Sequence, residues 1–211
     1  MQHPNRCYFK NDLPSLIMAH SLPEGYRFVE LPHKEFQDLW SQWGPKIFSE
    51  NDTSMDTRKV LSEQELANFR ELHKNLSQMI RFNICIFKGD EFCGWFNGDQ
   101  YNAETFYMRN SAILPNHRKK GLYTALLHAV LAKVKAMGFQ IVLSRHTTVN
   151  NAIIIPKLKA GFVITALEVS DRFGTLVHLS YFFNETRKQI IEFRAGDRKP
   201  DAKMKDILGI E

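Results

Sequence analysis

Residues 112–124, AILPNHRKKGLYT, decide how the chain reads, because they join a strand-like stretch to a helix-like one through a basic turn. Upstream, residues 104–114 (ETFYMRNSAIL) are rich in aromatic and β-branched side chains, and Phe106 and Met108 alternate with Tyr107 and Arg109 as in a half-buried strand. Downstream, Leu122, Leu126, Val130, Val134 and Met137 recur at helical spacing. A helix starting near Gly121 leaves its first N–H groups without intrahelical partners, and its aligned peptide dipoles put partial positive charge at that end. Phosphate is the natural ligand there. His117, Arg118, Lys119 and Lys120 add charge at the same place, and Gly121, lacking Cβ, lets backbone amides approach a bulky pyrophosphate.

The charge distribution agrees. Between Thr105 and Leu167 the chain has no Asp or Glu and nine Lys or Arg, whereas the first 104 residues hold 15 acids against 11 bases. The overall +5 therefore hides a basic segment behind a mildly acidic one. An acid-free segment centred on a phosphate-type turn points to a ligand carrying several phosphates.

Residues 113–127 (ILPNHRKKGLYTALL) resemble motif A of the GNAT superfamily of acyl-CoA N-acyltransferases, with core pattern Q/R-x-x-G-x-G/A. Arg118 and Gly121 match it, and Tyr123 stands where the family usually has a second Gly or Ala. Residues 150–162 (NNAIIIPKLKAGF) resemble the family's N-x-x-A-x-x-L-Y-x-K-x-G-F segment through Asn150, Lys159, Gly161 and Phe162. Ile153, Pro156 and Lys157 depart from it, and Lys157 takes the place of a Tyr that many members use as general acid. The resemblance implies an α+β fold: a mixed, mostly antiparallel twisted sheet of about seven strands, flanked by helices and splayed at the cofactor cleft. It implies an arm over 1–24, an acyltransferase domain over 25–184 and a C-terminal helix or tail over 185–211.

The rest of the chain fits that order. Its 211 residues, 44% hydrophobic and 24% charged, suit one soluble domain with appendages, and no apolar run reaches the roughly 18 residues a membrane span needs. Leu13 to Ala19 is too short and too interrupted for a secretory leader. Cys7, Cys85 and Cys93 form neither a disulfide set nor a metal spacing, so no metal is expected and a reducing cytoplasm is the simplest location. Residues 26–31 read as a first strand. In the helix after it, Phe36, Leu39, Trp40 and Trp43 share a stripe that reads as core and, by the resemblance, also walls the acceptor site together with Phe48. Residues 44–57 read as a polar loop and 58–76 as a helix. Residues 79–87 and 92–97 form a hairpin with one buried face, Trp95 and Phe96 reading as core. Strands follow at 139–145, 162–167 and 175–183. A helix over 150–159 is expected to kink at Pro156 or to start later, since proline in a helix interior costs about 3 kcal/mol. Residues 185–211 read as a surface helix with a frayed tail, or as a dimer contact or lid.

The resemblance implies direct acetyl transfer from acetyl-CoA to a primary amine, small-molecule or peptide. Ile113 and Leu114 would pair by backbone with the pantetheine, and their N–H groups would polarise the thioester carbonyl. Arg118, Lys119, Lys120, Gly121, Leu122, Tyr123 and Thr124 would hold the pyrophosphate, with Asn150 and Lys157 completing the site. Lys157 and Lys159 divide evenly between phosphate contact and simple solvation. Some members place a catalytic Glu on the fourth strand; the matching position is Tyr107, and Glu104 is the nearest carboxylate. His117 and His146 have suitable acidities, though a histidine beside a basic turn is more often a surface or capping residue. Tyr123 and Ser144 are candidates for returning the thiolate's proton. Two other readings stand beside this one: a GNAT-fold module that binds CoA without turnover, and a nucleic-acid-binding domain, motivated by a pI near 9.1.

Overall fold

The structure, a computed structural model, describes residues 22–48, 61–74 and 78–210. Most of the expected arm, most of the 44–57 loop and the ends of the expected 58–76 helix lie outside the described residues. The chain order is β1 (Tyr26–Leu31), α1 (His33–Phe48), α2 (Glu63–Lys74), β2 (Arg81–Lys88), β3 (Glu91–Gln100), β4 (Thr105–Ile113), α3 (Leu122–Ala136), β5 (Ile141–Thr147), α4 (Asn151–Lys159), β6 (Val163–Ser170), β7 (Gly174–Phe182), α5 (Glu185–Arg194) and α6 (Ala202–Leu208). The seven strands make one sheet in the order β1-β2-β3-β4-β5-β7-β6. Every neighbouring pair is antiparallel except β4 and β5, which run parallel. No described helix is long and apolar enough to cross a membrane.

Each face of the sheet has its own core. On one, α3 buries Leu122, Ala125, Leu126, Ala129, Val130 and Val134 against Phe82, Ile84, Phe96, Phe106 and Met108, and Ile154 and Phe162 join the same cluster. Burying each large side chain contributes roughly 1.5–3 kcal/mol. On the other, Phe36, Trp40 and Trp43 of α1 cover Cys85, Phe87, Phe92 and Trp95. The expected one-sided burial of β2 is therefore corrected: Phe82 through Phe87 are all buried, because α1 covers the face that alternation assigned to solvent.

Local chemistry sets several boundaries. Ser62 and Glu65 form a capping box that opens α2: the Ser62 hydroxyl accepts from the Glu65 N–H, and the Glu65 carboxylate accepts from the Ser62 N–H. Helix α1 runs through Gly44 and Pro45 to Phe48, where a loop was expected. Helix α4 starts at Asn151 with Pro156 inside it, not later. The C-terminal residues hold two helices instead of one and a frayed tail. Asp201 caps α6 by accepting the Met204 N–H, and Met204 is buried.

Candidate functional site

The basic turn is folded as a receptacle for an anion. After β4, Pro115 opens a 3₁₀ turn over Pro115–His117, and the chain then passes through Lys119 at φ 60° and Gly121 at φ 78°. Left-handed residues of this kind gather successive N–H groups into concavities that take anions. Among the described residues no side chain caps the start of α3, which leaves its first N–H groups for a ligand. A Cβ on Gly121 would meet nothing within 4 Å; the glycine is required by its left-handed backbone and leaves open space above it. The residues and the space fit a pyrophosphate.

The four basic residues separate into two roles. His117 is buried: its Nδ1 is 2.9 Å from the Tyr26 hydroxyl and its Nε2 is 3.1 Å from Glu91, which pins the turn to β1 and β3. Arg118 donates from Nε to the Ile113 carbonyl at 2.9 Å, and Lys120 donates to the Asn116 carbonyl at 3.0 Å. Arg118, Lys119, Lys120 and Thr124 are exposed, while Leu122 is buried in the core. Tyr123 is half-buried, and its sealed hydroxyl faces Ser111 of β4 without completing a hydrogen bond; burial pushes the phenol well above its ordinary range.

A cleft leads away from this turn. Strands β4 and β5 are paired over three residue pairs, ending at Tyr107 with Leu143, and beyond them the edge of β4 that faces β5 has no strand partner among the described residues. On the opposite edge, Asn97 pairs with Asn110 and Gly98 with Met108, leaving Arg109 as the extra residue of a bulge. Leu114, expected to pair with pantetheine, has both backbone groups engaged within the chain. Its N–H is donated to the Cys93 carbonyl at 2.8 Å, and its own carbonyl accepts from the His117 N–H. Antiparallel residues alternate between the two edges of a strand, so Ile113 presents its groups to the cleft when Leu114 presents its N–H to β3.

Lys157 occupies the closed end of the cleft. It is 1% exposed, and its Nζ donates to Ser144 Oγ at 2.5 Å and lies 3.4 Å from Met108 Sδ and 5.1 Å from the Phe162 ring centre. Neither phosphate contact nor solvation describes it, since α4 turns it inward on the stripe that buries Ile154. That helical spacing was the available signal. Burial lowers its ammonium to about 7. Ser144 also lies 2.5 Å from His146 Nε2, and burial, aided by Lys157, lowers His146 to about 3. His146 is thus a half-buried residue whose Nε2 faces the Ser144 hydroxyl. Asn150 opens α4, its carbonyl accepting the Ile153 and Ile154 N–H groups.

The two candidate bases are separated. Tyr107 is the last paired residue of β4; Arg145 Nε donates to its hydroxyl at 3.2 Å, and Arg109 and Arg145 lie over its ring. Glu104 lies three residues further into the paired region. Its carboxylate accepts both guanidinium nitrogens of Arg187, which hold it below the usual carboxylate range. Arg109 is tied to the buried Asp99, Lys133 to Glu30 and Arg145 to Glu168. Trp40 and Phe48 pack edge-on against Trp95, whose Nε1 donates to Asn110.

The model of the acetyltransferase (GNAT) family matches residues 28–162. No curated protein matches the chain in sequence. Among solved structures, the ribosomal L7/L12 α-N-protein acetyltransferase in complex with coenzyme A is 13% identical, with 77% of this chain and 96% of that chain covered at a TM-score of 0.57. The ribosomal-protein-S18-alanine N-acetyltransferase of Escherichia coli is 13% identical, with 75% and 94% covered at 0.52. A GNAT family acetyltransferase of Elizabethkingia anophelis with acetyl-CoA bound is 12% identical, with 76% and 100% covered at 0.51.

Proposed function

The chain belongs to the GNAT acetyltransferase family, and on that premise we propose that it transfers an acetyl group from acetyl-CoA to a primary amine. The observation that carries the proposal is the continuity of one surface: an anion-receiving turn with left-handed Lys119 and Gly121 opens into a cleft where β4 and β5 part after three pairs. Arg118, Lys119, Lys120 and the N–H groups at Gly121, Leu122, Tyr123 and Thr124 hold the pyrophosphate. The free edge of β4, with Ile113 in place of Leu114, holds the pantetheine. When bound, acetyl-CoA supplies an activated acyl carbon.

The chain's own residues then orient that carbon and manage protons. The bulge at Arg109 re-aims β4 next to the point where the sheet opens, and backbone donors there are suited to a developing oxyanion. Tyr107, beside that point, is better placed than Glu104 to receive a proton from the attacking amine, because Glu104 sits at the closed end and is bound to Arg187. The aromatic wall of Trp40, Trp43 and Phe48 on α1, backed by the buried Trp95, suits a cationic acceptor, either a small molecule or a peptide. The nucleic-acid reading loses its main support. Of the nine bases in the acid-free segment, Arg109, Lys133 and Arg145 are paired with acids from outside it and Lys157 is buried.

Calorimetric titration of acetyl-CoA, followed by thiol release across a panel of cationic and neutral amines, tests the proposal. Binding with turnover is expected. Binding without turnover on any amine would favour a CoA-binding module, and preference for neutral amines would overturn the cationic acceptor.

A further inference from the structure

Glu91, Cys93 and His117 bring a carboxylate, a thiol and an imidazole to one place. Their ligand atoms all lie within 4.8 Å of one another, and no other such group of three occurs among the described residues. Separate features of the fold assemble it. Cys93 is the extra residue of a β-bulge, since Phe92 pairs with Phe87 and Gly94 with Ile86, and a bulge re-aims the side chain it carries. The Cys93 carbonyl accepts the Leu114 N–H at 2.8 Å, which ties the root of the basic turn to that bulge. His117 follows on the turn, with its Nε2 3.1 Å from Glu91 Oε1. Cys93 and His117 are 0% and 5% exposed, whereas the Glu91 side chain is 61% exposed, so an ion reaches the buried pair past Glu91.

We propose that Glu91, Cys93 and His117 form a zinc(II) site, with a water in the fourth position. The site is separate from acyl transfer and does not rest on it. The mixture of donors selects the ion: zinc takes sulfur, nitrogen and oxygen together, whereas magnesium and calcium take oxygen alone. Tetrahedral zinc ligands stand about 3.3–3.8 Å apart, a spacing that the exposed Glu91 side chain can adjust to. The Tyr26 hydroxyl, 2.9 Å from His117 Nδ1, supplies the outer partner that a metal-bound imidazole requires. With Tyr26 accepting the Nδ1 hydrogen, Nε2 carries the lone pair for the ion.

The charges balance. Zinc displaces the Cys93 thiol proton to solvent without any electron transfer, and the thiolate and the Glu91 carboxylate together neutralise the ion. Lys88 and Lys120 are the cations that act on Cys93. They favour its thiolate form, and both are exposed, so solvent screens their repulsion of the metal. A bound ion would join β3 to the residue that immediately precedes Arg118, holding the base of the anion-receiving turn against the sheet.

The test uses the full chain, stripped of metal by a chelator and kept free of CoA, whose own thiol binds zinc. Calorimetric titration with zinc sulfate should show about one equivalent bound. Cobalt(II) in its place should give a thiolate-to-metal charge-transfer band in the near ultraviolet and the visible absorption of a tetrahedral site. Cys93→Ser should remove the charge-transfer band, and Cys7→Ser should leave it. Glu91→Gln, at an exposed side chain that spares the core, should weaken zinc binding at least about tenfold. Zinc should raise the melting temperature of wild type more than that of Glu91→Gln. Failure of wild type to bind zinc would overturn the site, as would a charge-transfer band that survives Cys93→Ser or vanishes in Cys7→Ser. Zinc affinity left unchanged by Glu91→Gln would overturn it too, and that variant decides alone if circular dichroism shows Cys93→Ser unfolded.

Discussion

Replacing Lys157 by Met should stabilise the folded protein in neutral and acidic solution. The side chain is 1% exposed, and burial takes its ammonium from the ordinary 10.5 down to about 7. At about 1.4 kcal/mol for each factor of ten, that fall amounts to roughly 5 kcal/mol against the folded state. Methionine fills a similar volume and removes the charge, but it loses the bond to Ser144, which costs about 1–3 kcal/mol even though Ser144 keeps His146. The expected net gain below pH 7 is about 2–4 kcal/mol.

The pH dependence has a definite sign. Between about 7 and 10.5 the unfolded lysine holds a proton that the folded one has released, so wild-type stability rises with pH through that window. Below 7 both states hold the proton and the penalty is constant. The advantage of Lys157→Met is therefore greatest in acid and shrinks as pH climbs from 7 towards 10. Cys85, whose thiol burial pushes up from an ordinary 9.0 to about 12, lowers stability above about pH 9 in both proteins alike and so cancels from the gap between them. Urea denaturation of both proteins at matched pH measures the difference directly. A variant less stable than wild type at about pH 6, or a gap that does not change with pH, would refute the reasoning.

Gly121→Asp should abolish acetyl-CoA binding by calorimetry, while Gly121→Ala should cost about 1–2 kcal/mol of stability in thermal melts, because φ of 78° penalises any Cβ even in open space. Gly98→Ala should cost about 1–3 kcal/mol, since its Cβ would lie 2.5 Å from the Phe106 ring and 2.8 Å from the Tyr107 carbonyl. Tyr107→Phe should lower kcat at least about tenfold and Glu104→Gln less than about twofold; the reverse order in steady-state assays would restore Glu104 as the base. Acetyl-CoA affinity should weaken steadily as ionic strength rises towards about 1 M, because Arg118, Lys119 and Lys120 are exposed and screened.

The sequence alone determined the turn and what surrounds it. A strand, four basic residues, Gly121 and an apolar helical stripe leave little choice of local geometry, since left-handed backbone, unpaired helix N–H groups and charge are all short-range properties. The strand and helix order was legible for the same reason, as alternation and helical spacing are local. Tertiary structure decided everything that depends on what lies across the sheet. Covering by α1 turned β2 into a strand buried on both faces. The bulge at Arg109 shifted the alternation of β4, so that Ile113 faces the same core as Phe106 and Met108. Acids distant in sequence, Asp99, Glu30 and Glu168, neutralised bases that looked free. Lys157 was visible as a departure from a family pattern, but its burial against Ser144 and Met108 follows from where β4 and β5 part. That parting is set by packing between elements that no window of sequence contains.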